Sequence, residues 1–232
     1  MTTISVRNLN HHADKPRVHS EVTIPHIGTV YDSYLEFSGD LKSGDVTCIS
    51  GNIGDGTTGV IYTLTGMDSA ASGEILLGSQ KLVKRDLAQM GCLVYHDYSV
   101  VSWYKKRTTV RRQLIEALSI GNDYRITDIE QLKTMLGLSE ERLDRPLYQC
   151  SNERWRATIA IGLAQGKRLF AFPWMNPNFV KSYLPFWLGR SLDVLRELDA
   201  WIIVATSDPQ VFNDHVDNVL PVKGCFHVWD GA

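Results

Sequence analysis

The stretch whose residue types and spacing could do chemistry is Gly51-Asn52-Ile53-Gly54-Asp55-Gly56-Thr57-Thr58. It follows Asp45–Ser50, a run that suits a buried strand, and precedes Val60–Leu64, which reads as helix. Strand, glycine-rich loop and helix together can cradle a phosphate. Successive backbone N–H groups and the positive end of the helix point at the anion. Gly51, Gly54 and Gly56 can take the backbone angles that such a nest needs. The same glycines would also serve a plain tight turn.

The elements around this loop alternate. Thr2–Val6 and, more weakly, Tyr34–Phe37 have the period of strands. Residues 97–150 read as mostly helical. Thr127-Asp128-Ile129-Glu130 forms a capping box there, ahead of Leu132 and Leu136 on one face. Ser151 or Asn152 is expected to cap a helix through Ala164, with Ile159 and Leu163 four apart. Leu169–Phe172 and Trp201–Ala205 are buried-strand runs. Tyr183–Leu198 is expected to be helical, with Leu184, Leu188, Leu192 and Leu195 in one stripe and Pro185 in its first turn. Val219–Val222, Lys223-Gly224 and Phe226–Trp229 read as a hairpin. Strands alternating with helices argue for an α/β core around a parallel sheet.

Composition narrows the classes. The chain of 232 residues is 44% hydrophobic and 22% charged, an ordinary globular balance. A formal charge of -2 supplies no basic field for nucleic acid or an anionic membrane. Cys48, Cys92, Cys150 and Cys225 lack the close spacing of zinc or redox motifs and read as reduced thiols, and no metal site is expected. Met1–Arg7 has no apolar run of a signal peptide. The longest apolar stretches are far too short to span a bilayer, so a membrane role is expected to go through a partner.

The order of these pieces resembles an ABC transporter ATPase along nearly the whole chain. Leu41–Gly44 is similar to the family's approach to its Walker A loop. Thr63-Leu64-Thr65-Gly66, Ser72-Gly73-Glu74-Ile75 and Gly78 match the run after the loop. Thr109-Val110-Arg111 resembles the start of the helical subdomain, and Glu153-Arg154-Trp155-Arg156 the tail of the signature motif. Ala205-Thr206-Ser207-Asp208-Pro209 resembles the switch region. The resemblance implies a P-loop NTPase (RecA-like) α/β core with a mostly parallel sheet, an N-terminal antiparallel β subdomain and an inserted α-helical subdomain. It implies one domain, with core 1–96 and 151–232 and the helical part at about 97–150.

Against that family the chemistry is depleted. The Walker A lysine falls on Thr57. Thr58 keeps the hydroxyl that would hold magnesium, and Asp55 stands where the family has a small neutral residue. Losing one charge-assisted hydrogen bond, about 1.5–3 kcal/mol, weakens binding at least about tenfold. The Q-loop glutamine falls on His96. The Walker B aspartate and general base fall on Pro173 and Trp174, neither of which can hold a metal or accept a proton. The switch histidine falls on Ser207. Gln149-Cys150-Ser151-Asn152, followed by Glu153, replaces the signature. The D-loop falls on Pro177-Asn178-Phe179-Val180, and the adenine-stacking aromatic near His12 or Ala13.

The resemblance implies a permease partner, a homodimer or a heterodimer with another nucleotide-binding subunit, and a place at the cytoplasmic face of the inner membrane. Both halves of each composite site are altered, so a partner would not restore a normal one. Tyr98, Trp103 and Tyr104 are candidate permease contacts, or else pack within the helical part. The expected protein is therefore a degenerate subunit, a scaffold or gate that binds no cofactor tightly. Two alternatives stand beside it. One is an active exporter ATPase using ATP and magnesium through Thr58, Asp97 and Glu153. The other is a soluble protein-interaction regulator.

Overall fold

The computed structural model describes residues 2–12, 17–18, 29–30, 32–94, 107–121, 124 and 126–224. The chain begins with β1 (Thr3–His11), the short antiparallel pair β2 (Arg17–Val18) and β3 (Thr29–Val30), then β4 (Tyr34–Lys42). Next come β5 (Val46–Ser50), the loop, α1 (Thr57–Leu64), β6 (Ser72–Leu77), β7 (Gln80–Lys81), α2 (Lys84–Met90) and β8 (Gly91–Leu93). Among the described residues the next helices are α3 (Val110–Leu118), α4 (Ile129–Leu136) and α5 (Glu140–Leu143). The chain then forms α6 (Arg154–Ala164), β9 (Leu169–Trp174), α7 (Pro177–Tyr183), α8 (Gly189–Glu197), β10 (Trp201–Thr206), β11 (Asn218–Pro221) and β12 (Lys223–Gly224).

Two sheets result. One is antiparallel in the order β12-β4-β1-β6-β7. The other is parallel in the order β11-β5-β10-β9-β8, and contains the expected strands at Asp45–Ser50, Leu169–Phe172 and Trp201–Ala205. Strand alternation divides the core. On β10, Trp201, Ile203 and Ala205 face α1 and the antiparallel sheet, while Ile202 and Val204 face the helices on the other side. On β9, Leu169 and Ala171 take the first face and Phe170 and Phe172 the second. Helix α1 is clamped between the sheets through Val60, Ile61 and Leu64, all fully buried. Residues so enclosed cannot shift without opening the core, so the start of α1 is a fixed point.

Several local expectations are corrected. β11 pairs in parallel with β5, and β12 pairs antiparallel with β4, so Val219–Gly224 joins two sheets where a hairpin was expected. Phe226–Trp229 lies outside the described residues. The expected helix at Tyr183–Leu198 begins earlier, at Pro177, capped by Asn176 through Asn178 N–H at 2.9 Å. Pro185 therefore falls mid-helix. It is absorbed by a π-turn over Leu184–Leu188, because the wider turn tolerates the missing N–H of proline. Asp128, rather than Thr127, caps α4, accepting from Gln131 N–H at 2.8 Å. Neither Ser151 nor Asn152 caps α6; both lie in a 3₁₀ turn before it. Among the described residues no helix is long and apolar enough to cross a membrane.

Candidate functional site

The glycine loop connects β5 to α1 as expected of a strand–loop–helix unit. Gly54 and Gly56 have φ of 86° and 94°, in the left-handed region that favours glycine. At Gly56 the need is also steric, since a Cβ would lie 2.6 Å from Ser33 O and 2.5 Å from Tyr34 Cβ. Gly59, inside α1, is similarly constrained: its Cβ would meet Asp32 O at 2.4 Å. These glycines let the segment Asp32-Ser33-Tyr34 lie directly on the N-terminus of α1.

That segment is anchored by Tyr34, whose hydroxyl donates to Thr63 Oγ1 at 2.8 Å while Thr63 donates to Gly59 O at 2.9 Å. Tyr34 is fully buried and stacks against His11, ring centroids 5.6 Å apart. Two residues earlier sits Asp32, also fully buried. Its Oδ1 accepts from Gly56 N–H at 2.7 Å and its Oδ2 from Gly59 N–H at 3.0 Å. A second carboxylate acts within the loop, where Asp55 Oδ2 accepts from Asn52 N–H at 2.7 Å. Nothing in the sequence pattern singled out Asp32. The one sequence signal was its position just before the weak Tyr34–Phe37 strand.

Thr57 and Thr58 begin α1. Thr57 is fully buried and Thr58 nearly so, and both hydroxyl oxygens are buried without a hydrogen-bond partner. The carboxylates contacting the loop thus bond to its amides, and the Thr58 hydroxyl expected to hold magnesium has no partner.

The far side of the loop is closed by Trp174. Between β9 and β10, Ala171 pairs with Ile203 and Trp174 with Ala205, so three steps on β9 match two on β10. The extra residue is a bulge beside Pro173, which has no N–H to give to a ladder. The bulge reverses the alternation and turns Trp174 onto the face of α1, where it is almost fully buried. Its Nε1 donates to Gly51 O at 2.9 Å, while Gly51 N–H donates to Thr206 O at 3.2 Å. Both backbone polar groups of the first loop glycine are therefore held by the sheet. Ser207 follows β10 as an exposed bend.

The segment Gln149–Glu153 lies at the start of α6 as two successive 3₁₀ turns, with Ser151 at φ 49°. Buried Cys150 donates its thiol toward Arg142 O at 3.4 Å. Glu153 Oε2 accepts from Ser139 N–H at 2.8 Å, and its other oxygen lies 3.8 Å from Arg156. Glu153 is thus engaged in joining α6 to the start of α5. Ser151 and Asn152 line a cavity of about 310 Å³ walled by Trp155, Phe179, Tyr183 and Trp187. His96, Asp97, Tyr98, Trp103 and Tyr104 lie outside the described residues, as do Ala13 and Cys225. His12 is exposed.

Among the described residues, the side chains around the loop are not the donor set that magnesium triphosphate calls for. Among the described residues at the head of α1, Thr58 Oγ1 is a hydroxyl that suits the ion, while the Asp32 and Asp55 carboxylates are engaged with amides. The amides of Asn52, Gly56 and Gly59 already donate to carboxylates. No lysine stands at the head of α1, and β9 ends in proline and tryptophan.

The sequence matches no protein-family model. It is 24% identical over 223 residues to the methionine import ATP-binding protein MetN of Clostridioides difficile, covering 90% of this chain and 62% of that protein. It is 24% identical to MetN of Corynebacterium jeikeium, covering 79% of this chain and 51% of that one. The chain thus spans about half to three-fifths of the length of these curated relatives. Among solved structures, CbiO1 of Clostridium perfringens, part of the ABC transporter complex CbiONQ, has a TM-score of 0.63 at 19% identity, covering 95% of this chain and 84% of that one. The dimeric bacterial ABC transporter cassette MJ0796 has a TM-score of 0.64 at 15% identity over 95% of this chain and 94% of that one. The chain has the fold of ABC transporter ATP-binding subunits, and its relatives by sequence are ABC transporter ATP-binding subunits.

Proposed function

We propose that the chain is a degenerate nucleotide-binding subunit that associates with a membrane permease as a scaffold or gate, with ATP hydrolysis lost and ATP binding weak or absent. The observation that carries this reading is the Trp174 indole. The position that the family resemblance assigns to the general base holds a buried ring that donates to Gly51 O at 2.9 Å. A general base must accept a proton, and an indole N–H only donates. Pro173, at the position assigned to the metal-binding aspartate, offers no ligand atom on its side chain. In this reading the fold keeps the surfaces that dock a permease and pair subunits, and the protein sits at the cytoplasmic face of the membrane through that permease.

A second reading, an active ATPase, is favoured by one observation: the Thr58 hydroxyl is buried without a partner. The same reading asks Glu153 to act as base, and Glu153 is engaged with Ser139 N–H and Arg156. ATP turnover by the purified chain with magnesium separates the two. The expected rate equals a no-enzyme control. A robust rate abolished by Thr58→Ala would instead establish the active reading. Co-purification of a membrane permease with the tagged chain then separates a transporter subunit from a soluble regulator.

A further inference from the structure

The geometry points to Asp32 as a built-in substitute for phosphate: its carboxylate occupies the amide nest at the head of α1 and makes the loop self-liganded. This rests on the reading of the loop as a former nucleotide site and supplies its physical cause. An anion nest with nothing in it leaves buried N–H groups unsatisfied, which is unfavourable. A chain that has lost its triphosphate must fill the nest or lose the loop. Here Asp32 reaches over from the start of β4 and spans Gly56 N–H and Gly59 N–H with its two oxygens, at 2.7 and 3.0 Å.

Three further observations agree. The carboxylate is fully buried, so it is held by the amides rather than by solvent. The backbone of Asp32 and Ser33 approaches Gly59 and Gly56 so closely that any Cβ there would clash at 2.4 and 2.6 Å, which locks the carboxylate over the helix end. Asp55 treats the beginning of the loop in the same way, through Asn52 N–H at 2.7 Å. The positive end of α1 favours a negative group at this place, and two carboxylates already beside it oppose the entry of a third anion.

The consequence is a loop whose shape no longer depends on a ligand, and which excludes phosphate groups. An ordinary helix cap would share the two hydrogen bonds but would not be replaceable by free phosphate. The test uses the full chain, with inorganic phosphate as the probe and chloride at matched ionic strength as the reference. Melting temperatures are recorded for wild type, Asp32→Ala, Asp32→Asn and Thr109→Ala. Thr109 caps α3 through Arg112 N–H and reports the effect of losing a cap elsewhere.

Wild type is expected to show no saturable response to phosphate. Asp32→Ala is expected to melt lower and to regain at least about half of the loss as phosphate saturates the vacated amides, because a ligand that binds only the folded state raises its stability. Asp32→Asn keeps the shape without the charge and is expected to show a smaller rescue, which supplies the measurement should the alanine variant fail to fold. Two outcomes overturn the proposal. One is a saturable phosphate response in wild type. The other is Asp32 variants that respond to phosphate no more than Thr109→Ala does. ATP calorimetry on wild type keeps the two levels apart. Micromolar binding there would remove the underlying reading, whereas no binding with no rescue removes only the role of Asp32.

Discussion

Trp174 and Gly51 are joined across 123 residues of sequence by a single hydrogen bond, indole Nε1 to carbonyl oxygen at 2.9 Å. The bond ties the bulged end of β9 to the first residue of the glycine loop. It exists because the bulge beside Pro173 rotates one side chain from one face of the sheet to the other.

Trp174→Ala is therefore expected to destabilise the protein by about 3–5 kcal/mol, the range for removing a large buried aromatic. Trp174→Phe keeps most of the packing but leaves Gly51 O without its indole donor, at about 1–3 kcal/mol. Urea unfolding gives both values. Neither substitution is expected to create ATP turnover, and Trp174→Glu is expected to destabilise without turnover, because a carboxylate there would be buried against apolar side chains.

Calorimetry of wild type with submillimolar ATP is expected to give no detectable heat. Asp55→Ser with Thr57→Lys should recover part of the binding, since it frees Asn52 N–H and adds an ammonium. Recovery is expected to be larger when Asp32→Ala is added, because Gly56 and Gly59 N–H are then released as well. Thr57 is fully buried, so the melting temperature of each variant should be checked alongside. Tight binding by wild type would contradict the charge argument.

The helices α3–α5 carry an exposed ion network. Arg111 bonds Asp144 and Glu140, and Lys133 bonds Glu140 and Glu130. Glu140 is held below its ordinary 4.5 by its hydrogen bonds to Lys133 and Arg111, and Asp144 below 3.8 by Arg111. Carboxylates with lowered pKa bind protons more weakly in the folded state. Their contribution is present above the ordinary values and is lost as pH falls through the lower folded ones. The stability difference between wild type and Arg111→Ala should thus be largest at neutral pH, shrink below about pH 4 and shrink with added salt. Denaturant melts across that range measure it.

Burial pushes the Cys48 and Cys92 thiols up to about 12. At pH 8 only about one part in ten thousand of each would be thiolate, the reactive form. Iodoacetamide at pH 8 is expected to leave both unmodified in the native protein and to label them rapidly in urea. Peptide mass spectrometry locates the label. Fast native labelling of Cys48 would contradict its full burial, whereas at Cys92, which is partly exposed, it would contradict the raised pKa.

Much of the fold was legible in the chain itself. The runs at Asp45–Ser50, Leu169–Phe172 and Trp201–Ala205 announced strands of a buried parallel sheet, because a strand covered on both faces needs apolar residues at nearly every position. The glycine spacing at Gly51, Gly54 and Gly56 announced the loop, and Gly54 and Gly56 take left-handed backbone angles that are cheap only for glycine. That Thr57, Pro173 and Trp174 stand where the family has its lysine, metal ligand and base is what the resemblance implies. What tertiary structure decided was the fate of groups whose partners are far away in sequence. No period or motif places Asp32 over Gly56 and Gly59; that depends on β4 packing against α1 and on Tyr34 locking the approach. Nor does local pattern reveal the bulge at Pro173, the π-turn around Pro185 or the separation of β11 and β12 into different sheets. Propensity and periodicity act over a few residues, whereas the hydrogen-bond partner of a buried amide is chosen by whichever element the packed core brings within about 3 Å.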